Sequence, residues 1–219
     1  MENVLYTFSG GSDGSHPWAG VVFDSAGNLY GTTSGGAAGY GTVYELSPNG
    51  GTWTLQTLHT FEGATDGASP YAGLIFDAAG NMYGATASMG TGSGGTVFKL
   101  SPSGGGWTFN TLYSFSGPAG GLDPGPIGNL VFDQQGNLYG TTHLDGAFNF
   151  GSAFKLTNTA NGWTYTSLHD FTAGTDGADP RSNLTFDSSG NMYGTASAGG
   201  TGNSQSCDGA CGVVFEITP

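Results

Sequence analysis

The stretch Val22-Phe23-Asp24-Ser25-Ala26-Gly27-Asn28-Leu29-Tyr30-Gly31-Thr32-Thr33 sets the architecture of this chain, because it recurs three more times. It reads as a β-hairpin. An apolar run ends at Phe23, turn formers fill Asp24 to Asn28, and Leu29-Tyr30-Gly31-Thr32 opens a second run rich in strand formers. The other copies begin at Phe76-Asp77, Phe132-Asp133 and Phe186-Asp187, each followed by Gly-Asn and then Met82-Tyr83, Leu138-Tyr139 or Met192-Tyr193. Their aspartates lie 53, 56 and 54 residues apart, the size of a propeller blade.

Working outward from the hairpin, each unit offers four β segments. In the first unit these are Gly20–Asp24, Leu29–Thr33, Thr42–Ser47 and Trp53–Phe61. No segment carries apolar residues at a 3.6 period, and Gly interrupts every run, so helices are not expected. Four short antiparallel strands joined by Gly-rich turns describe an all-β fold, a β-propeller of four four-stranded blades in a single domain, 1–219. The repeats fall at about 9–61, 62–115, 116–171, and 172–219 together with 1–8. Residues 3–8, Asn-Val-Leu-Tyr-Thr-Phe, match the ends of the fourth strands at Thr57–Phe61 and Thr111–Phe115, whereas the last unit stops after its third strand. The ring is therefore expected to close by the N-terminal strand completing the last blade, which leaves no unpaired sheet edge. Two chains exchanging terminal strands to form one eight-bladed ring satisfy the same strand count.

Composition narrows the partners. Three Lys+Arg against sixteen Asp+Glu give a formal charge of −13, which repels nucleic acid and anionic membranes. This acidity serves solubility, with cation binding or attraction of a basic partner as the alternative. No apolar run approaches the roughly 20 residues of a membrane helix, and residues 1–20 lack a signal-peptide pattern, so a leader is expected to be missing from this sequence. Cys207 and Cys211, in Cys-Asp-Gly-Ala-Cys, have no further Cys to complete a zinc site. They read as a local disulfide across a Gly-rich loop, which points to an oxidising compartment. So short a loop should add little stability.

Linked motifs recur in order along nearly the whole chain: Asp-Gly-x-x-Pro, a short apolar strand, Phe-Asp-x-x-Gly-Asn-[Leu/Met]-Tyr-Gly, then Gly-Thr-Val-[Tyr/Phe]-[Glu/Lys]-Leu-Ser-Pro. In these motifs the chain resembles the Gloeo/Verruco-type repeat family of secreted bacterial proteins. The resemblance implies a propeller-like repeat and an extracellular or cell-surface setting, and it brings no catalytic residues with it.

Candidate sites lie in the loops of one face, those joining strands two to three and those entering each blade. The entering loops hold Asp13-Gly14-x-x-Pro17, Asp66-Gly67-x-x-Pro70 and Asp176-Gly177-x-x-Pro180, whereas the third unit reads Leu122-Asp123-Pro124-Gly125-Pro126 and should differ in shape. Asp13, Asp66, Asp123 and Asp176 are either turn caps or a ring of carboxylates for Ca²⁺ or sugar hydroxyls; calcium needs six to eight oxygens, so one Asp per loop is a thin ligand set. After each Pro stand Trp18, Tyr71, Ile127 and Arg181, and here the repeat stops repeating. Four unlike side chains in equivalent places do not suit one packing role; they are either ligand contacts or ordinary variation at the rim, and neighbouring loops add Tyr40, His143, Asp145, Phe148 and Phe150 as ligand candidates. The chain has no phosphate-binding Gly-Lys-[Ser/Thr] loop and no His-Glu-x-x-His. The expected function is thus a non-enzymatic propeller that binds a glycan, peptide or protein. Self-assembly by terminal-strand exchange and a carbohydrate-active hydrolase or lyase using the Asp-rich loops are the alternatives.

Overall fold

The computed structural model describes residues 2–36, 38–117, 123–202 and 210–219. Each hairpin is held by its aspartate in the same way. In the second unit Asp77 Oδ1 accepts the N–H groups of Ala79 and Asn81, both at 2.9 Å, while Oδ2 accepts the Asn81 amide at 2.7 Å and the Tyr83 hydroxyl at 2.9 Å. Asp24, Asp133 and Asp187 repeat this set with their own neighbours. The motif Asp-x-x-Gly-Asn-x-Tyr is therefore a turn in which one carboxylate satisfies four donors.

Four antiparallel sheets follow. The first is β1 (Val22–Phe23), β2 (Leu29–Thr33), β3 (Thr42–Asn49) and β4 (Thr52–Thr60), paired in that order. The second is β5 (Ile75–Phe76), β6 (Met82–Thr86), β7 (Thr96–Ser103) and β8 (Gly106–Ser114), and the third is β9 (Val131–Phe132), β10 (Leu138–Thr142), β11 (Ser152–Thr159) and β12 (Gly162–Asp170). A bulge between the second and third residues of β3, β7 and β11 recurs in each, at Val43/Tyr44, Val97/Phe98 and Ala153/Phe154. The fourth sheet is built differently. Its β13 (Ala178–Pro180) and β14 (Thr185–Phe186) share one edge of β15 (Met192–Ala198), and β16 (Val213–Ile217) takes the other. In blades 1 and 2 the counterpart of β13 is a single bridge, Ser15 to Gly35 and Ala68 to Ser88.

The core lies between blades rather than within them. Tyr30 of blade 1 meets Phe76 of blade 2 edge-on at 5.3 Å, and Tyr83–Phe132 and Tyr139–Phe186 repeat the contact at 5.1 Å. A second series joins the end of each fourth strand to the next blade's third: Phe61–Phe98 at 5.3 Å, Phe115–Phe154 at 5.0 Å and Phe171–Phe215 at 5.0 Å. Gly31, Gly84, Gly140 and Gly194 face those third-strand rings so closely that a Cβ at any of them would run into the aromatic carbons. The Tyr-Gly dipeptide thus encodes both the ring that reaches the next blade and the space for the ring beneath.

The architecture is an all-β, propeller-like array of four four-stranded sheets with no helix among the described residues. Hydrogen-bonded closure by the N-terminal strand is not seen. Residues 2–8 form no paired strand, and β16 has only β15 as a neighbour among the described residues. Cys207 and its expected bond to Cys211 lie outside the described residues.

Replacing Asp77 by Ala strands two backbone N–H groups, an amide and a hydroxyl, and is expected to cost about 2–4 kcal/mol and to lower Tm by about 5–15 °C in a thermal melt. Burial acts to raise the carboxyls of Asp24, Asp77 and Asp133, but the hydrogen bonds from the following Asn and Tyr outweigh it and hold all three below the ordinary value. Because the folded pKa is the lower one, the stability they supply is complete above the unfolded value near 4 and is lost as pH falls through the folded value. Tm followed by circular dichroism should therefore drop as pH falls below about 4; a Tm that rises there would contradict this origin of stability.

Candidate functional site

The entering loops place their variable residues at the head of each first strand, where neighbouring blades converge. In blade 2, Gly67 sits at φ +95° with its Cα against the paired hydroxyls of Thr86 and Thr96, which are 2.9 Å apart, so the Asp-Gly dipeptide docks the loop onto the sheet. Asp66 then accepts the N–H groups of Glu62 and Gly63 and contacts His59 Nε2 at 3.0 Å. Asp13 accepts Ser9 N–H, Gly11 N–H and the Tyr6 hydroxyl, and Asp176 accepts Thr172 N–H and lies 3.1 Å from His169 Nε2. These three carboxylates act as turn caps. Among the described residues no three His, Cys, Asp or Glu side chains come together as a metal ligand set.

Beyond the caps, a cleft of about 470 Å³ is lined by Trp18, Tyr71, Asp123, Ile127, His143 and Arg181. One residue after each of the four prolines reaches it, and the Asp123 loop supplies a fifth from the unit whose sequence departs from the motif. Trp18 is 70% exposed and meets Tyr71 edge-on at 6.2 Å. The Tyr71 hydroxyl donates to Asp123 Oδ2 at 3.1 Å; burial, then the Asp123 charge, pushes the phenol pKa up. His143 Nδ1 lies 3.0 Å from the Asp123 carbonyl oxygen, which can only accept, so Nδ1 carries a proton.

Its Nε2 faces two groups of opposite demand, Asp179 Oδ1 at 2.8 Å and Arg181 Nη2 at 2.8 Å. A neutral ring accepts from Arg181, and a protonated ring donates to Asp179. Arg181 in turn clamps Asp179 with two bonds, Nε to Oδ1 at 2.8 Å and Nη2 to Oδ2 at 2.9 Å. Ser197 Oγ donates to the same carboxylate at 2.9 Å. A polar chain therefore runs from Tyr71 through Asp123, His143 and Asp179 to Arg181, beside an apolar wall of Trp18 and Ile127. Arg181 is the chain's one arginine. The two lysines are placed elsewhere, Lys99 over the Tyr83 ring at 5.5 Å and Lys155 over Tyr139 at 5.3 Å.

The remaining loop candidates do not line this cleft. Tyr40 is half-buried against the core between blades 1 and 2, and its carbonyl accepts the Ser69 N–H. Asp145 lies in a separate hollow with Tyr113, Tyr165 and Asp170, where burial, joined by the Asp170 charge, raises its carboxyl above the ordinary value. Phe148 and Phe150 are exposed, and the Phe150 carbonyl accepts the Asp179 N–H, which holds the clamped carboxylate in place. Asp179, a carboxylate of the Asp-rich entering loop, is a further neighbour of this cleft. The position before each proline also varies, as His16, Ser69, Gly125 and Asp179, and the three non-glycine residues there sit at φ +57°, +57° and +58°. Left-handed backbone at a residue before proline is strained, which marks the position.

With the fold and cleft in view, the sequence pattern of the Gloeobacter/Verrucomicrobia repeat matches residues 1–215. The chain belongs to that repeat family. A search of curated proteins finds no sequence match for this repeat protein. Among solved structures it is similar to a putative oxidoreductase (glucose dehydrogenase) of Thermus thermophilus, at 15% identity and TM-score 0.57, over 94% of this chain and 62% of that one. It is also similar to a luciferin-regenerating enzyme, at 14% identity and TM-score 0.51, over 91% of this chain and 60% of that one. These relatives support the propeller; at such identities the likeness carries the fold alone. The repeat protein spans about 60% of the length of those structures.

Trp18 packs so little that Trp18→Ala should change Tm by no more than about 2 °C. The same substitution should remove the most acrylamide-quenchable part of the tryptophan emission, whereas Trp107→Ala, which takes away the ring against Tyr30 at 6.0 Å, should lower Tm clearly.

Proposed function

We propose that this repeat protein is a non-enzymatic binding propeller whose cleft at Trp18, Tyr71, Asp123, Ile127, His143 and Arg181 takes a glycan. The observation that carries the reading is convergence: positions equivalent in the repeat, but unlike in chemistry, meet in one cleft. An exposed indole offers a flat apolar face of the kind that stacks on a sugar ring. The Arg181–Asp179 clamp and the Asp123 carboxylate offer planar paired donors and acceptors suited to neighbouring hydroxyls. Trp, Tyr and Arg are also the side chains that dominate binding surfaces when truncated.

A hydrolytic reading finds less support. Of its five expected acids, Asp13, Asp66, Asp145, Asp176 and Asp179, three (Asp13, Asp66 and Asp176) are engaged by the backbone of their own turns, and Asp179 is clamped by Arg181. An acid and base pair needs two carboxyls in contrasting environments facing one bond. The extracellular or envelope setting rests on the repeat resemblance, and the acidic surface suits it.

Binding to an oligosaccharide array, followed by titration calorimetry on the strongest hit, tests the reading. Trp18→Ala and Arg181→Ala are each expected to weaken that hit at least tenfold with the fold intact. A double variant that binds as well as the parent, or an array with no hit while peptides bind at the same cleft, would overturn the glycan assignment.

A further inference from the structure

The two ends of the blade array carry the two halves of the interface that the chain builds three times internally. At the leading end, residues 2–8 occupy the place of a fourth strand from a preceding blade. Phe8 meets Tyr44 edge-on at 5.1 Å with a 67° interplanar angle, matching Phe61–Phe98, Phe115–Phe154 and Phe171–Phe215 at 63°, 63° and 64°. Tyr6 donates to Asp13 just as His59 and His169 contact Asp66 and Asp176. This end also presents Phe23, 65% exposed, whose counterparts Phe76, Phe132 and Phe186 each lie against the tyrosine of the blade before.

The trailing end is complementary. Val214 is 80% exposed, whereas Val43, Val97 and Ala153 at the same strand position are fully buried beneath a fourth strand. Tyr193 faces solvent with no phenylalanine against it among the described residues, although Tyr30, Tyr83 and Tyr139 all have one. β16 thus offers an edge that is unpaired among the described residues and an apolar side chain, the combination that accepts an added strand.

We propose that a second copy of this chain docks head to tail, its residues 3–8 adding as the fourth strand beside β16 and its Phe23 packing on Tyr193. Shifting the Val43–His59 and Tyr44–Thr57 pairs of blade 1 by one repeat gives the register: Val214 opposite Tyr6 of the partner subunit, and Phe215 opposite the partner's Val4. The occupant is another copy because the surface needed is the continuation of an interface already present three times. Residues 2–8 lie on blade 1, and among the described residues β16 pairs with β15 alone. The docking also extends the cleft. Trp18, open on the side away from Tyr71, comes to face blade 4 of the partner subunit.

Light scattering on the 219-residue chain tests the proposal. The expected mass is twice 22.1 kDa or a higher multiple, with association favoured by salt because each copy carries −13. Val214→Asp and Phe23→Asp alter side chains that are exposed in one copy, so each should fold, shown by an unchanged circular dichroism spectrum, and each should run near 22.1 kDa. Mixing the two should restore a two-chain species, because each variant keeps one intact half. A parent of 22.1 kDa at both low and high salt, or variants that associate as the parent does, would overturn head-to-tail docking. None of these readouts involves a glycan, so they fail or succeed independently of the binding assignment.

Discussion

The bond from the hairpin tyrosine to the hairpin aspartate is the contact on which the rest of the molecule depends. Its hydroxyl end closes the turn, at 3.1 Å in the first unit and 2.9 Å in the second, and its ring end packs on the next blade. One side chain therefore couples local structure to the interface between sheets. Burial, together with the neighbouring carboxylate, holds the Tyr83 phenol well above its usual pKa, so the coupling stays a neutral donor on an ionised acceptor. A phenylalanine there would keep the packing and take away one of the carboxylate's four donors.

Much of this was legible in the residues. A period of 53 to 56 residues with four apolar runs per unit leaves few architectures, and the recurrence of Phe-Asp-x-x-Gly-Asn-x-Tyr tied the turn to the strands on both sides. The observed sheets follow those runs closely. Closure was the part that counting strands does not determine. Whether residues 3–8 pair with β16 of the same molecule depends on the angle at which one blade follows another. That angle comes from the sizes of side chains such as Trp107, Phe109 and Tyr165 wedged between sheets, which spacing along the chain does not encode.

The cleft was found by the opposite signal. Where a repeat keeps a residue type, packing or turn geometry accounts for it; where Trp18, Tyr71, Ile127 and Arg181 diverge at one position, that common demand has lapsed. Those four side chains line one cleft, whereas other loop residues only lie nearby in sequence. Tyr40 turned inward because the core between blades 1 and 2 had room for its ring, and Asp145 lies in a hollow of its own. The place of Asp179 in the cleft depends on two partners, His143 and Arg181, one of them 36 residues away, which spacing along the chain does not encode.

The three internal interfaces have a consequence for how the molecule comes apart. Blades 2 and 3 are gripped from both sides, whereas among the described residues blade 4 packs on one neighbour and blade 1 on a neighbour plus a short segment. In a stack where each unit touches only the next, opening starts at the ends and runs inward, and amide protons in β6 and β10 outlast those in β2 and β15. Closing the circle would abolish the ends. The same four repeats would then pass from fraying unit by unit to opening as a whole, with no change to any blade.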